Sequence, residues 1–182
     1  MNASDTRKRR VSEGRRAQAF FWAFAATALA VDQSTKWVVF REAYSSREYE
    51  VLPGVFFRLS PTGNTGVAWG FFGRWPAVVL VVGLIAAAFV VYYFYKSACQ
   101  SRAEGAVLGM ILGGAFGNVV DRIFVGHVRD FLDFRLGSFS WPTFNAADTF
   151  ISTGAGLLIL MMLVRGGETG GKGAISGEKG DK

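Results

Sequence analysis

Residues 77–95 read AVVLVVGLIAAAFVVYYFY, nineteen positions without a charge, opened by Pro76 and closed by Lys96. At about 1.5 Å per helical residue the run spans roughly 28 Å, close to the hydrocarbon thickness of a bilayer. It predicts a transmembrane helix, and three more apolar stretches flank it. The first runs from Ala17 to Val31 and resumes after Asp32 and Lys36 with Trp37, Val38, Val39 and Phe40, predicting one helix over about Gln18 to Phe40. The third covers Gly105 to Val120 and continues past Asp121 and Arg122 to Val125. The fourth starts near Asn145 and ends at Val164.

Composition agrees. The 182 residues are 51% hydrophobic and 19% charged, where a soluble domain is nearer a quarter charged. One water-soluble core of this size could not bury four such stretches. The fold class read from the sequence is a membrane α-helical protein with four transmembrane helices. The single Cys99 cannot form an internal disulfide, and His127 is the only histidine, so disulfide-scaffold, zinc and histidine-triad chemistries lose ground. The net charge of +6 raises nucleic acid as a partner, but the basic residues sit beside apolar stretches. Membrane lipids, and no nucleic acid, are the expected contacts of those charges.

Four spans place both termini on one side, and basic residues decide which. The head holds Arg7, Lys8, Arg9, Arg10, Arg15 and Arg16. The turn from Lys96 to Glu104 holds Lys96 and Arg102, and the tail holds Arg165, Lys172, Lys179 and Lys182. These are twelve of the twenty Lys and Arg. Head, turn and tail are therefore expected in the cytoplasm, with residues 41–75 and about 126–144 outside. Arg15-Arg16 followed by a short apolar run and Ala28-Leu29-Ala30 also resembles a cleavable secretory signal. Cleavage would leave three spans and throw the basic tail outside, so the four-span reading is preferred. Residues 1–17 read as a disordered basic head, 18–165 as the membrane domain, and 166–182 as a disordered Gly- and Lys-rich tail. Within 41–75, Tyr44, Tyr49, Val51, Leu52, Val55, Phe56, Phe57 and Leu59 between Pro-Gly and Gly-Asn turn signals predict a small β-rich cap.

The topology brings several polar side chains to one depth: Asp32 and Lys36 on the first helix, Asn118, Asp121 and Arg122 on the third, Asn145 and Asp148 on the fourth. Spacings of three or four put each pair on one helix face. A charge inside a span costs about 2.5 to 3.5 kcal/mol, so such groups face a protein interior or a polar site. The plainer reading is that they mark helix ends, with Asn145 and Asp148 as caps and Asp32 as the partner of Lys36. With no histidine pair, thiol or metal cluster in place, paired carboxylates are the remaining chemistry, one activating water and the other delivering a proton. The outer candidates are Asp32, Asp121, Asp130, Asp133 and Asp148. Asp32 and Asp121 have basic neighbours in their own helices, but physical reasoning alone leaves the pair open. Gly109, Gly113 and Gly117 recur every fourth residue, which reads as close helix packing. Trp37, Trp69, Trp75 and Trp141 read as an interfacial belt.

Five blocks, Asp32-Gln33-Ser34-Thr35-Lys36, Asn64-Thr65-Gly66-Val67-Ala68-Trp69-Gly70, Gly113 to Arg122 (GGAFGNVVDR), Gly126-His127-Val128-Arg129-Asp130-Phe131 and Phe144-Asn145-Ala146-Ala147-Asp148, resemble in content and order the motifs of the lipoprotein signal peptidase (signal peptidase II) family. Trp69 stands where that family usually has Phe. The resemblance covers about Val31 to Gly154. It implies a bacterial inner-membrane aspartic endopeptidase that cuts lipid-modified prolipoproteins just before the diacylglyceryl cysteine, with no metal or cofactor. It further implies Asp130 and Asp148 as the catalytic pair, with Asp32, Lys36, Asn64, Gly66, Asn118, Asp121, Arg122 and Asn145 as supporting or substrate-contacting residues. The rival reading is a small transporter or channel that relays protons or ions through intramembrane Asp and Lys. A conduction path needs polar groups through the whole membrane, and the second helix has none.

Overall fold

A computed structural model of the chain describes residues 3–42, 49–50, 57–66, 74–96, 101–136 and 139–173. Among these the order is α1 (Ala3–Glu42), β1 (Tyr49–Glu50), β2 (Phe57–Asn64), α2 (Pro76–Lys96), α3 (Arg102–Phe124), β3 (Val128–Leu136), β4 (Phe139–Ser140) and α4 (Ala146–Gly173). Among the described residues, three helices are long and apolar enough to cross a membrane: Pro76–Lys96, Arg102–Phe124 and the Ala146–Arg165 part of α4. The expectation was four. The remaining helix, α1, has its apolar run interrupted by Asp32 and Lys36, both of them buried.

The α3 helix is the hub, packed against each of the other three. Its sequence explains why. Gly105, Gly109 and Gly113 lie against the backbone carbonyls of Ala17, Phe21 and Ala25, so near that a Cβ at any of the three would collide with the carbonyl oxygen. The four-residue glycine spacing thus serves close packing of α3 on α1. On the other side of α3, a Cβ at Gly114 would lie 2.6 Å from the Ala147 carbonyl of α4. Phe21, Phe94, Leu108 and Leu112 fill the core, with the Phe21 and Phe94 rings stacked at 4.1 Å. Large apolar side chains point outward elsewhere, including Val81, Ile85 and Phe89 on α2 and Ile159, Leu160 and Leu163 on α4. Helices apolar on their outer faces belong in lipid. The molecule is a multi-pass helical membrane protein with a small antiparallel sheet.

The sheet has the order β1-β2-β3-β4. The expected cap in 41–75 supplies β1 and β2, and its other half comes from the segment between α3 and α4 as β3 and β4. Leu59 pairs with Leu132 and Thr62 with Asp130, so Ser60 and Pro61 together face Phe131 as a bulge. Pro61 has no N–H to give to a ladder, and a bulge is where a strand tolerates it. At the end of α3, the Val125 and Gly126 amides both donate to the Asp121 carbonyl, at 2.7 and 3.1 Å. Gly126 adopts φ 84°, the left-handed conformation that stops a helix at little cost. Only one residue then separates Gly126 from β3.

Two expectations about the ends are corrected. The basic head is helical from Ala3, continuous with the membrane part of α1. A helix already nucleated lengthens at one hydrogen bond per residue, there is no proline to stop it, and Arg9 pairs with Glu13 one turn on, at 3.5 Å. In the same way α4 continues past Arg165 to Gly173. Residues 174–182, Trp69, Cys99 and the cap segments 43–48, 51–56 and 67–73 lie outside the described residues. Trp37, Trp75 and Trp141 are exposed, as a belt requires.

Candidate active site

Two polar layers meet where α1, α3 and α4 approach the sheet. The first is ionic. Lys36 Nζ donates to Asp32 Oδ2 at 2.8 Å and lies 3.2 Å from Asp121 Oδ2, all three side chains being fully buried. Asp121 Oδ1 is held by Arg129, from Nη2 at 2.7 Å and from Nε at 3.2 Å, and Oδ2 accepts the Arg129 backbone N–H at 2.9 Å. Gln33 bridges the set, donating to the Gly117 carbonyl at 3.1 Å and accepting from Arg129 Nη2 at 2.9 Å. Two buried acids thus meet two bases at hydrogen-bond range, the condition under which buried charges survive. Asp32 Oδ1 accepts the backbone N–H of Ala147 at 2.9 Å, an amide in the first turn of α4 that has no partner within its own helix.

The second layer is built from asparagines. Asn145 and Asp148 form a reciprocal cap on α4: the Asp148 amide donates to Asn145 Oδ1 at 3.0 Å, and the Asn145 amide to Asp148 Oδ2 at 3.2 Å. The helix-cap reading of these two residues is therefore correct, and it coexists with further contacts. Asn145 Nδ2 donates to Asp130 Oδ1 at 2.6 Å and to Asn118 Oδ1 at 3.1 Å. Asn118 Nδ2 donates to Asp148 Oδ1 at 2.8 Å, while its Oδ1 also accepts Lys36 Nζ at 3.2 Å. Asn64 Nδ2 donates to Asp130 Oδ2 at 2.9 Å, and Asn64 Oδ1 accepts the Gly66 amide at 2.9 Å. Gly66 contributes through its backbone alone, its carbonyl also accepting Arg122 Nη2 at 2.8 Å.

Local structure explains how Asn145 reaches Asp130. The Phe144 carbonyl accepts the Phe131 and Leu132 amides at 3.0 and 2.8 Å, and the Phe144 amide donates to the Leu132 carbonyl at 3.0 Å. This short ladder lays the entry to α4 along β3.

The five candidate aspartates now separate. Asp32 and Asp121 are ion-paired as above, and Asp133 is paired with Arg135 at 2.8 Å and Arg58 at 3.7 Å. Among the described residues, Asp130 and Asp148 are in ion-pair contact with no lysine or arginine. Their partners are neutral amides. Burial pushes the Asp130 carboxyl up to about 6, and the nearby charge of Asp148 adds to the rise. Hydrogen bonds from Asn64 and Asn145 and the charge of Lys36 oppose it. Both carboxyls line one cavity of about 690 Å³, which continues between the helices past Val82 and Ala86 of α2, Ile111 of α3 and Ile151 of α4. One end of that cavity is polar and the rest is apolar. Among the described residues, no cluster of three or more His, Cys, Asp or Glu could hold a metal ion.

All ten residues singled out in the sequence are described, and they fall into one connected site. Sequence reasoning passed over Arg129 and Gln33, although both stand inside quoted blocks. Strand alternation was the available signal for Arg129, since it puts that side chain on the side opposite Asp130, toward the helix ends. Glu104, buried at the other end of α3 and 3.5 Å from Arg165, was also passed over.

Comparison with known proteins agrees with the geometry. Residues 24–164 match the family model described as signal peptidase (SPase) II. The chain is similar to the lipoprotein signal peptidase of Bacillus pumilus, 35% identical over 150 residues, 82% of this chain and 96% of that one. It is likewise similar to that of Symbiobacterium thermophilum, 39% identical over 142 residues, 77% and 91% of the two chains. A bacterial membrane enzyme structure solved by the in meso method at 2.3 Å superposes with a TM-score of 0.69 and 26% identity, over 88% of this chain and 92% of that one. The motif blocks, the helical fold and these likenesses agree, and the chain belongs to the signal peptidase II family.

Proposed function

We propose that this protein is an aspartic endopeptidase that removes the signal peptide from lipid-modified lipoprotein precursors, cutting before the diacylglyceryl-modified cysteine. The observation that carries the reading is that Asp130 and Asp148 share one cavity, linked by Asn145, with neutral amides as their hydrogen-bond partners. A carboxyl pair so placed suits the exchange of one proton with substrate and water, whereas Asp32, Asp121 and Asp133 are each engaged by a cation. Asp148, in the first turn of α4 and lining the cavity, is assigned as the base. Asp130, raised toward neutrality by burial, serves as the acid.

In the proposed cycle Asp148 takes a proton from water as the oxygen attacks the scissile carbonyl, and Asp130 protonates the carbonyl oxygen. Asp148 then passes its proton to the leaving amine as the C–N bond breaks, and Asp130 recovers a proton from the diol. No covalent intermediate forms. The apolar length of the cavity suits the signal segment and acyl chains of a precursor embedded in the same bilayer. Asp32, Lys36, Asn118, Asp121 and Arg122 support the pair. In this reading α1 is the fourth span, the enzyme lies in the bacterial cytoplasmic membrane, and both termini are cytoplasmic. A transporter is disfavoured because the polar groups cluster at one end of the helices.

The test is incubation of the purified protein with a lipid-modified precursor and with the same precursor lacking the lipid. Loss of the signal peptide from the modified form alone is expected. No cleavage of either form, beside an active control enzyme, would contradict the proposal.

A further inference from the structure

Asp130 sits at a weak point of its own sheet. Its strand partner is Thr62, and the next residue, Phe131, faces the bulge at Ser60 and Pro61, where the β2–β3 register slips. The interrupted ladder leaves the backbone here with fewer anchors, while the Asp130 carboxyl itself is held by Asn64 and Asn145. On the far side of the slip, the Phe144 carbonyl holds the Phe131 and Leu132 amides. On the near side the neighbour is Arg129, and it is held from three directions. Its backbone N–H and its guanidinium both bind the buried Asp121 carboxylate of α3, and the same guanidinium donates to Gln33 of α1.

Resting on the peptidase reading above, we propose that Arg129 is a positioning residue: by clamping the first residues of β3 to Gln33 of α1 and to the end of α3, it fixes the Asp130 carboxyl at the distance from Asp148 that the reaction needs. Strand alternation turns Arg129 to the side opposite Asp130, and it is not among the residues that line the cavity. It therefore acts on substrate only through Asp130. Arg129 also completes the charge balance of the buried set, two acids with two bases, so that Lys36 is not drawn wholly onto Asp121. The guanidinium holds Asp121 Oδ1 through two nitrogens while the Arg129 backbone N–H holds Oδ2, so side chain and strand are locked to one carboxylate, an orientation that a lysine fixes less well.

Misplacing a reacting group by about 1 Å costs on the order of 100-fold in rate. Arg129→Ala is accordingly expected to lower kcat about 30- to 100-fold on a lipid-modified precursor, with KM within about threefold of wild type. Arg129→Lys, which restores the charge, is expected to recover at least about fivefold of that loss, with Arg129→Gln falling between Lys and Ala. Rates are taken per monodisperse enzyme in detergent, with Tm measured alongside, so that loss of folded protein is not counted as loss of rate. If Arg129→Ala does not fold, the order of kcat, wild type above Lys above Gln, carries the test. A kcat for Arg129→Ala within threefold of wild type, a change confined to KM, or Lys no better than Gln would overturn the proposal. A wild-type enzyme that fails to cut would overturn the peptidase reading instead, and this one with it.

Discussion

Asp32 and Ala147 stand 115 positions apart in the chain, yet Asp32 Oδ1 accepts the Ala147 backbone N–H at 2.9 Å. A carboxylate of α1 thus occupies the positive end of α4, one residue before Asp148, where it satisfies an orphan amide and favours the dipole. The same carboxylate pairs with Lys36.

Asp32→Asn keeps an acceptor for Ala147 and loses the charge. Lys36 retains Asp121 and Asn118, so the buried cation is not stranded. We expect a loss of roughly 1–3 kcal/mol, about 3 to 10 °C in Tm, with measurable turnover remaining. Thermal unfolding beside an activity assay separates the two effects, and complete inactivity at full stability would make Asp32 part of the chemistry.

The Asn64 amide donates to Asp130 and so stabilises its ionised form. With Asp130 as the acid, kcat/KM falls as pH rises through about 6 and the proton leaves. Asn64→Ala removes a stabilising donor, which raises Asp130 further. The alkaline limb of the kcat/KM profile is expected to move to higher pH, with a lower plateau, and movement to lower pH would refute Asp130 as the acid.

Stability should carry the same signature. The Asp130 carboxyl ionises near 3.8 when unfolded and near 6 when folded, so the native state holds the extra proton between those values. The Asp130 contribution to wild-type stability therefore declines as pH rises across that window. Asp130→Asn does not titrate. The Tm of the variant minus that of wild type is expected to grow from pH 4 to 6 and level off above, as a thermal scan at each pH would report.

Two glycines predict opposite outcomes. A Cβ at Gly109 meets the Phe21 carbonyl oxygen and lies 3.1 Å from Phe24 Cβ, whereas one at Gly156 meets nothing within 4 Å. Gly109→Val is expected to separate α1 from α3 and leave little monodisperse protein. Gly156→Ala is expected to be neutral or to stabilise by up to about 1 kcal/mol through helix propensity. Size-exclusion yield and Tm check both.

How much of this was legible in the sequence varies with the kind of signal. The uncharged run at 77–95 and the glycine spacing at 109, 113 and 117 report lipid exposure and close packing directly, because both depend on residues near in sequence. The common depth of Asp32, Asp121 and Asp148 followed from the apolar pattern. The choice of carboxylates did not, since it depends on which cation lies beside which acid, and Arg129 reaches Asp121 at a helix end while Arg58 reaches Asp133 through strand pairing. The second half of the cap was missed for the same reason: β3 is a strand because β2 pairs with it. The helical head and the extension of α4 were missed because composition argues against folding alone and says nothing of a helix already begun in the membrane.

The most direct measurement compares cleavage of a lipid-modified precursor by wild type, Asp130→Asn, Asp148→Asn and Asp133→Asn in the same membranes. Asn keeps the size of Asp and can still cap α4, but it can neither accept nor deliver the proton. The first two variants are expected to insert, to bind the precursor and to leave it uncut, while Asp133→Asn, whose carboxylate is held by Arg135 away from the cavity, still cuts. Near-normal cleavage by Asp130→Asn or Asp148→Asn would contradict it and turn attention to Asp121.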